Sequence, residues 1–332
     1  MLLNTLAVPE YIHDLLTAYR TCELTTFTKT GMLSVVPVVA VWDDEAASIV
    51  FATAVAYPQK AYNIRRNPHL SLLFSDPVGA HLEHESPVLV QGIGKITEDL
   101  EAKRLTTLGP KFVQKIPDQN YHLSPLMKRL MDWYYVRLMI DVFPERIINW
   151  RAGDYHQLPD ILGETISSQL QEIPQKHMQP LWKPEWAKII AKYPTAAVSC
   201  AFGSDYPFSY RSAVKIADNR NICLLDPLAD GFPAAQKYIQ YPAALLFHAF
   251  SESMKMDAMS QFQLQGYITV TDNGVEFTPV GCVPGLGSRR FDKPQGMEQF
   301  TAFPAMVRSG KRKTKEYLQK RTFQSKGTNH ES

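Results

Sequence analysis

Residues 48–74 read SIVFATAVAYPQKAYNIRRNPHLSLLF, and the order of residue types in them decides the fold. Ile49-Val50-Phe51-Ala52 is an apolar run of strand formers, closed by the hydroxyl of Thr53. Tyr57-Pro58-Gln59 turns the chain and delivers Lys60. From Lys60 to Arg66, Ala61 and Ile64 fall on one face of a short helix. Asn67-Pro68 ends that helix, because proline disfavours helical geometry in the residue before it. Leu70 to Phe74 is a second apolar strand. A strand ending in Thr, a turn that delivers Lys and the unpaired amides of a first helical turn can converge on one anion. Taken singly, Lys60 is an ordinary solvated lysine and Thr53 an ordinary strand-end hydroxyl; the combination makes them a candidate phosphate cradle.

Upstream, Ile12, Leu15, Leu16 and Tyr19 recur at helical spacing after Pro9, and Thr21 to Lys29 and Leu33 to Trp42 read as strands, the second carrying Pro37 at an edge or bulge. Downstream, Pro87 to Thr97 is a further strand. Short strands in a meander with one helix suit a small antiparallel barrel. Residues 99–133 leave the β pattern, with helical stretches at 100–105 and 125–133 around a loop holding Pro110 and Pro117. Tyr134 to Val142 returns to a strand, and Phe143 to Trp150 follows it.

The second half of the chain repeats the first. Tyr19 and Tyr193, Thr21 and Thr195, Asp44 and Asp218, Gln91 and Gln265, and Gly92 and Gly266 are all 174 residues apart. Pro68-x-x-x-Leu72 and Pro242-x-x-x-Leu246 show the same spacing. After the helical insertion Pro144 matches Pro279, 135 residues on. A constant offset over more than seventy positions is the mark of an internal duplication. The phosphate cradle is not duplicated: the 174-residue offset carries Thr53 to Pro227, Lys60 to Ala234 and Asn63 to Lys237. Lys237, Arg289 and Arg290 are the cations that could build a second cradle by another route.

The ordered pieces Phe51, Thr53, Lys60, Asn63, Asn67, Pro68, Ser71-Leu72-Leu73-Phe74, then Val88, Val90 and Gly92, resemble the FMN-binding split-barrel superfamily typified by pyridoxamine 5′-phosphate oxidase. The resemblance covers roughly residues 12–150, and Pro144-x-Arg146-Ile147-x-x-Trp150 resembles the superfamily's last barrel strand. It implies a mainly β fold with peripheral helices: two tandem split β-barrels forming an intrachain pseudo-dimer, since this fold normally pairs about a two-fold axis with the flavin at the interface. It implies that Thr53 and Lys60 contact the flavin phosphate, with Asn63 beside them. It also implies that the ring lies against Val36, Val38 and Ala52, with Trp150 near the rim. The expected domains are a first barrel at 1–150, a linker at 151–183, a second, degenerate barrel at 184–306 and a basic tail at 307–332, read as a solvated, frayed helix.

The resemblance further implies a flavin-dependent oxidoreductase acting on a small molecule, with FMN as cofactor and a deazaflavin or haem as alternatives. A flavin- or haem-binding protein without turnover is the second reading. The strand before Thr53 carries Ser34-Val35-Val36-Pro37-Val38 where pyridoxamine phosphate oxidases have an arginine, and their C-terminal Trp and Arg motif is missing, so vitamin B6 is not the expected substrate. No side chain stands out as a catalytic acid or base.

Composition narrows the class. The 332 residues suit two domains, and 45% apolar content is enough for real cores. A net charge of +2 offers no field for nucleic acid. Cys22, Cys200, Cys223 and Cys282 form no zinc spacing, and three lie in apolar strand-like runs, the pattern of free thiols in a reducing compartment. The N-terminus lacks a signal-peptide pattern and no run of about eighteen apolar residues occurs, so a cytoplasmic protein without a membrane span is expected, as a monomeric pseudo-dimer or a homodimer. His81-x-x-His84 has no third ligand nearby in sequence, and no metal is expected. Neither Gly92-x-Gly94 nor Gly285-x-Gly287 completes a dinucleotide fingerprint.

Overall fold

In the computed structural model the described residues are 6–116, 129–163, 178–203, 205–217, 222–229, 232–233, 235–250, 260–272, 274–284, 304–305 and 307–319. The first half runs α1 (Glu10–Ala18), β1 (Cys22–Phe27), β2 (Leu33–Val38), β3 (Ala40–Asp43), β4 (Ser48–Ala54), α2 (Gln59–Arg66), β5 (His69–Phe74), β6 (Val88–Asp99), α3 (Lys103–Lys115), α4 (Asp132–Tyr135), β7 (Arg137–Asn149) and β8 (Asp160–Gly163). The second half runs α5 (Pro184–Ile190), β9 (Ala196–Cys200), β10 (Phe208–Ser212), β11 (Val214–Ile216), β12 (Cys223–Leu225), β13 (Gln240–Ala249), β14 (Ser260–Thr271) and β15 (Gly274–Pro284). A last helix, α6, covers 307–319.

The strands form two antiparallel sheets with the same topology. The first is ordered β2-β1-β5-β6-β7-β4-β3, with β8 added on β7; the second is β10-β9-β13-β14-β15-β12-β11. The two end strands of each sheet are consecutive in the chain, separated by Val39 alone in one and by Ala213 alone in the other. Each sheet therefore bends back on itself, which makes two split β-barrels in tandem. Register equates the halves residue by residue. The β1–β2 and β9–β10 pairings match at an offset of 174, and β7 and β15 match at 135. Both β6 and β14 carry a bulge at the same place, between Gln91 and Gly92 and between Gln265 and Gly266. A side chain has no room after either bulge: a Cβ on Gly92 would lie 2.3 Å from the Phe143 carbonyl oxygen, and one on Gly266 2.2 Å from that of Thr278.

One strand departs from the expected spacing. Both neighbours of β13 place it 173 residues from β5, so Leu72 corresponds to Leu245 and Pro68 to Tyr241. The Pro68–Pro242 match is thus a coincidence of composition. The second half has lost one residue between β12 and β13, where no counterpart of α2 exists among the described residues. A second departure concerns Pro110, expected in a loop but held inside α3. Leu108 and Phe112 of that helix are buried on Val41, Val50 and Met139, and this burial outweighs the amide that proline lacks.

The interior of the first barrel is a core of its own, with Leu24, Phe51, Leu72, Val90 and Ile140 among its members. The second barrel's core continues across the barrel interface to Leu33, Val35, Leu89 and Ile148 of the first. Polar contacts at this interface obey the repeat. The Gln91 side-chain amide donates to the Pro207 carbonyl at 2.9 Å and that of Gln265 donates to the Leu33 carbonyl at 2.8 Å, two bonds exchanged by the pseudo-two-fold axis. Likewise Tyr19 OH accepts from the Ser86 amide, while Tyr193 OH bonds Ser260, the register partner of Ser86. Beside the axis lies an asymmetric cluster. Glu23, fully buried, accepts from Arg211, from His248 at 2.7 Å and from Ser75 at 3.2 Å. Burial alone would raise the Glu23 pKa, but Arg211, His248 and Ser75 together hold it below the usual carboxylate range.

Part of 151–183 is a strand of the first sheet, β8, while Trp182 packs against the second core. The expected frayed C-terminal helix is corrected: α6 docks on the first barrel, burying Val307, Gly310 and Thr314. Gly310 lies directly against the Trp133 ring, and Tyr317 packs against Val55, Ala61 and Leu138. No helix among the described residues is long and apolar enough to cross a membrane.

Candidate anion-binding site

Thr53 sits at the end of β4 with its side chain buried, paired in register with Leu138 of β7. Its hydroxyl donates to the Tyr57 carbonyl at 3.1 Å and so closes the turn that delivers Lys60. An anion approaching Thr53 would compete with that carbonyl for the proton. Gln59, the first residue of α2, follows Pro58, whose geometry starts the helix without any side-chain cap. The first-turn amides of α2 therefore keep their hydrogens free of intrahelical partners.

Lys60 has neither an ion pair nor a hydrogen-bond acceptor among the described residues. Burial, and then the neighbouring Arg137 guanidinium, bring its ammonium down to about 8. Arg137, the first residue of β7, lies beside Ala54 in register and stacks on the Tyr134 ring at 3.7 Å. Its buried Nε has no hydrogen-bond partner among the described residues, and neither does the buried indole Nε1 of Trp133. Trp133 packs with Ala54 and Ala56 and stands edge-on to Tyr57 and Tyr134, with ring centroids 6.0 and 5.9 Å away. Two cations without a carboxylate and two orphaned buried donors thus surround one turn. Buried donors of this kind normally find acceptors, so the arrangement fits an anionic ligand.

Arg137 and Trp133 were not legible as site residues. Arg137 comes beside the turn only through the pairing of β7 with β4, and Trp133 only through the way the helical insertion folds back on Ala54 and Ala56. The other expected residues fall elsewhere. Asn63 is buried and fully engaged: it donates to Thr26 at 3.1 Å and accepts from Gln59 at 3.0 Å and from Arg66 at 3.4 Å. Ala52 points to the opposite face of β4 from Thr53 and packs under α3. Val36 and Val38 line the interior of the first barrel. Trp150 follows the far end of the 13-residue β7, away from Arg137.

Trp150 marks the place where the second half differs. Its ring lies 4.9 Å from Tyr155, 6.0 Å from Phe208 and 6.4 Å from Phe232. The Ala229 amide donates to the Tyr155 carbonyl. Ala229 and Phe232 belong to the connection between β12 and β13, the stretch that stands in the chain where the first half has the cradle turn and α2. Phe208 and Tyr210 occupy the register positions of Ser34 and Val36. Pro227, at the position of Thr53, is exposed, Lys237 is paired with Asp272 at 2.8 Å, and Ala234, Arg289 and Arg290 lie outside the described residues. Among the described residues no group of three or more His, Cys, Asp or Glu side chains is placed to hold a metal.

No family model matches the chain. No curated protein matches it either. Among solved structures, a conserved hypothetical protein of Mycobacterium tuberculosis is similar at 22% identity and a TM-score of 0.34, over 44% of this chain and 87% of that one. A structure titled F420 reductase is similar at 22% identity and a TM-score of 0.33, over 42% and 98% of the two chains. An FAD-binding protein of Mesorhizobium loti is similar at 21% identity and a TM-score of 0.28, over 44% and 96%.

Proposed function

We propose that the first barrel binds the phosphate of a flavin, FMN or a deazaflavin, and that the protein is a flavin-dependent oxidoreductase acting on a small molecule. The observation that carries this reading is the meeting of Lys60 and Arg137, two uncompensated cations, with the orphaned donors of Arg137 and Trp133 around the Thr53–Tyr57 turn. A flavin phosphate carries close to two negative charges, which two cations match. Lys60 and Arg137 would neutralise it, the first-turn amides of α2 would solvate it, and Thr53 would fix its orientation. The twin position in the second barrel offers packed aromatic rings instead, so one cofactor per chain is the stoichiometry this reading carries. When bound, the flavin supplies hydride transfer at N5; the protein supplies position and electrostatics.

The test is a visible spectrum of the purified protein, followed by titration with FMN. Flavin absorption with saturable binding supports the reading. A Soret band points instead to haem, and an FMN-refractory, colourless protein overturns the flavin assignment.

A further inference from the structure

α6 comes from the far end of the chain, yet it rests on the turn that carries Thr53 and Lys60. Gly310 faces Trp133 so closely that a Cβ there would lie 2.4 Å from the indole ring. Glycine within a helix costs about 1 kcal/mol relative to alanine, so its use at this position reflects the close approach. Lys311 donates to the Arg129 carbonyl at 3.0 Å and pairs with Asp132 at 3.4 Å, which ties α6 to the segment bearing Trp133. Lys313 places its ammonium 4.7 Å from the centre of the Tyr57 ring. Tyr317 donates to Glu98 at 2.8 Å and packs against Val55, Ala61 and Leu138. The helix therefore touches the 54–61 turn along its length: Ala54 and Ala56 through Trp133, Tyr57 through Lys313, and Val55 and Ala61 through Tyr317.

We propose that α6 is a working part of the anion site, with Gly310 and Tyr317 seating the cradle turn and Lys313 adding a third cation for the ligand's anionic group. This rests on the flavin-phosphate reading and adds residues to that site from the last twenty-six positions of the sequence. Cations stabilise a nearby anion even without direct contact, and the effect is screened by salt. Lys315, on the exposed side of the same helix, provides the matched control.

The experiment is an FMN titration of the full chain at low and at high salt, with wild type, Lys313→Gln, Lys315→Gln and Gly310→Val. The expected result is a loss of affinity of about three- to tenfold for Lys313→Gln at low salt, shrinking at high salt, with Lys315→Gln unchanged. Gly310→Val should lose about tenfold or more by displacing the helix from Trp133. Tyr317→Ala in the full chain provides the second variant should Gly310→Val fail to fold; it should lose about three- to tenfold in affinity while keeping a cooperative melt. Wild-type affinity in both Lys313→Gln and Tyr317→Ala overturns the role of α6 and leaves the flavin reading intact. Failure of the wild type to bind FMN overturns both.

Discussion

Thr25 and Ser199 share a hydrogen bond between their hydroxyls at 2.8 Å, and they are each other's repeat partners, 174 residues apart. A residue can touch its own counterpart only on a two-fold axis, so this bond marks the axis of the pseudo-dimer. Ser209 bonds both hydroxyls, at 3.2 Å and 2.8 Å, and extends the buried hydroxyl chain to Ser71. The duplication is thus visible as geometry as well as spacing.

Lys60→Ala should weaken FMN binding by about 1.5–3 kcal/mol, the usual worth of a hydrogen bond to a charged group, which is about a ten- to hundredfold loss. Arg137→Gln should do the same. Calorimetric titration checks both. Unchanged affinity in either variant removes that residue from the site.

The flavin-to-protein ratio at saturation should be one per chain. The second half has Pro227 where the first has Thr53, its Lys237 is paired with Asp272, and Trp150, Tyr155, Phe208 and Phe232 pack together beside that stretch. Absorbance of the reconstituted, desalted protein gives the ratio. A value of two sinks the one-site arrangement.

Anion affinity should depend on pH through Lys60. Its ammonium, lowered to about 8 by burial and by Arg137, is charged below that pH and neutral above it. Affinity should be level below pH 8 and fall above it, in a step that Lys60→Met abolishes. In the ligand-free protein the sign is opposite: a lysine whose folded pKa is depressed opposes folding while charged, so its penalty is full below pH 8 and is relieved between pH 8 and its ordinary value near 10.5. Titrations and melts across pH 7–10 read both effects.

Gly92→Ala and Gly266→Ala should each destabilise the fold by about 1–3 kcal/mol, because the added methyl meets a backbone carbonyl that cannot yield. Gly281→Ala, which meets nothing within 4 Å, should stay within about 0.5 kcal/mol of the wild type. Chemical denaturation of the three variants tests the equivalence of the two bulges.

Much of this was legible in sequence because it is written locally or by repetition. The Thr53–Lys60 turn is local, and the Gln-Gly pairs at 91 and 265 repeat with their bulges. What escaped depends on pairing over distance. Arg137 reaches the cradle only through the β4–β7 ladder, and Trp133 only through the fold of the insertion. Trp150 looked like a rim residue, yet its surroundings are set by rings from the other half. The slip from 174 to 173 at β13 was masked by Pro242, which falls one residue from the true counterpart of Pro68. α6 looked solvated because its charges are plain in the sequence, whereas the contact at Gly310 depends on a tryptophan more than a hundred and seventy residues away.

The cluster beside the axis bears on which surfaces recognise each other. Glu23 has Ala197 as its repeat partner, Arg211 has Pro37, and His248 has Ser75. Two first barrels brought face to face would bury two glutamates with neither arginine nor histidine opposite. Two second barrels would bury two arginines against alanine. An unpaired buried charge costs several kcal/mol, so each like-with-like assembly carries that penalty twice. Unlike surfaces satisfy both charges at once. The two faces are therefore complementary to each other and not to themselves, a preference for the unlike partner written into Glu23, Arg211 and His248.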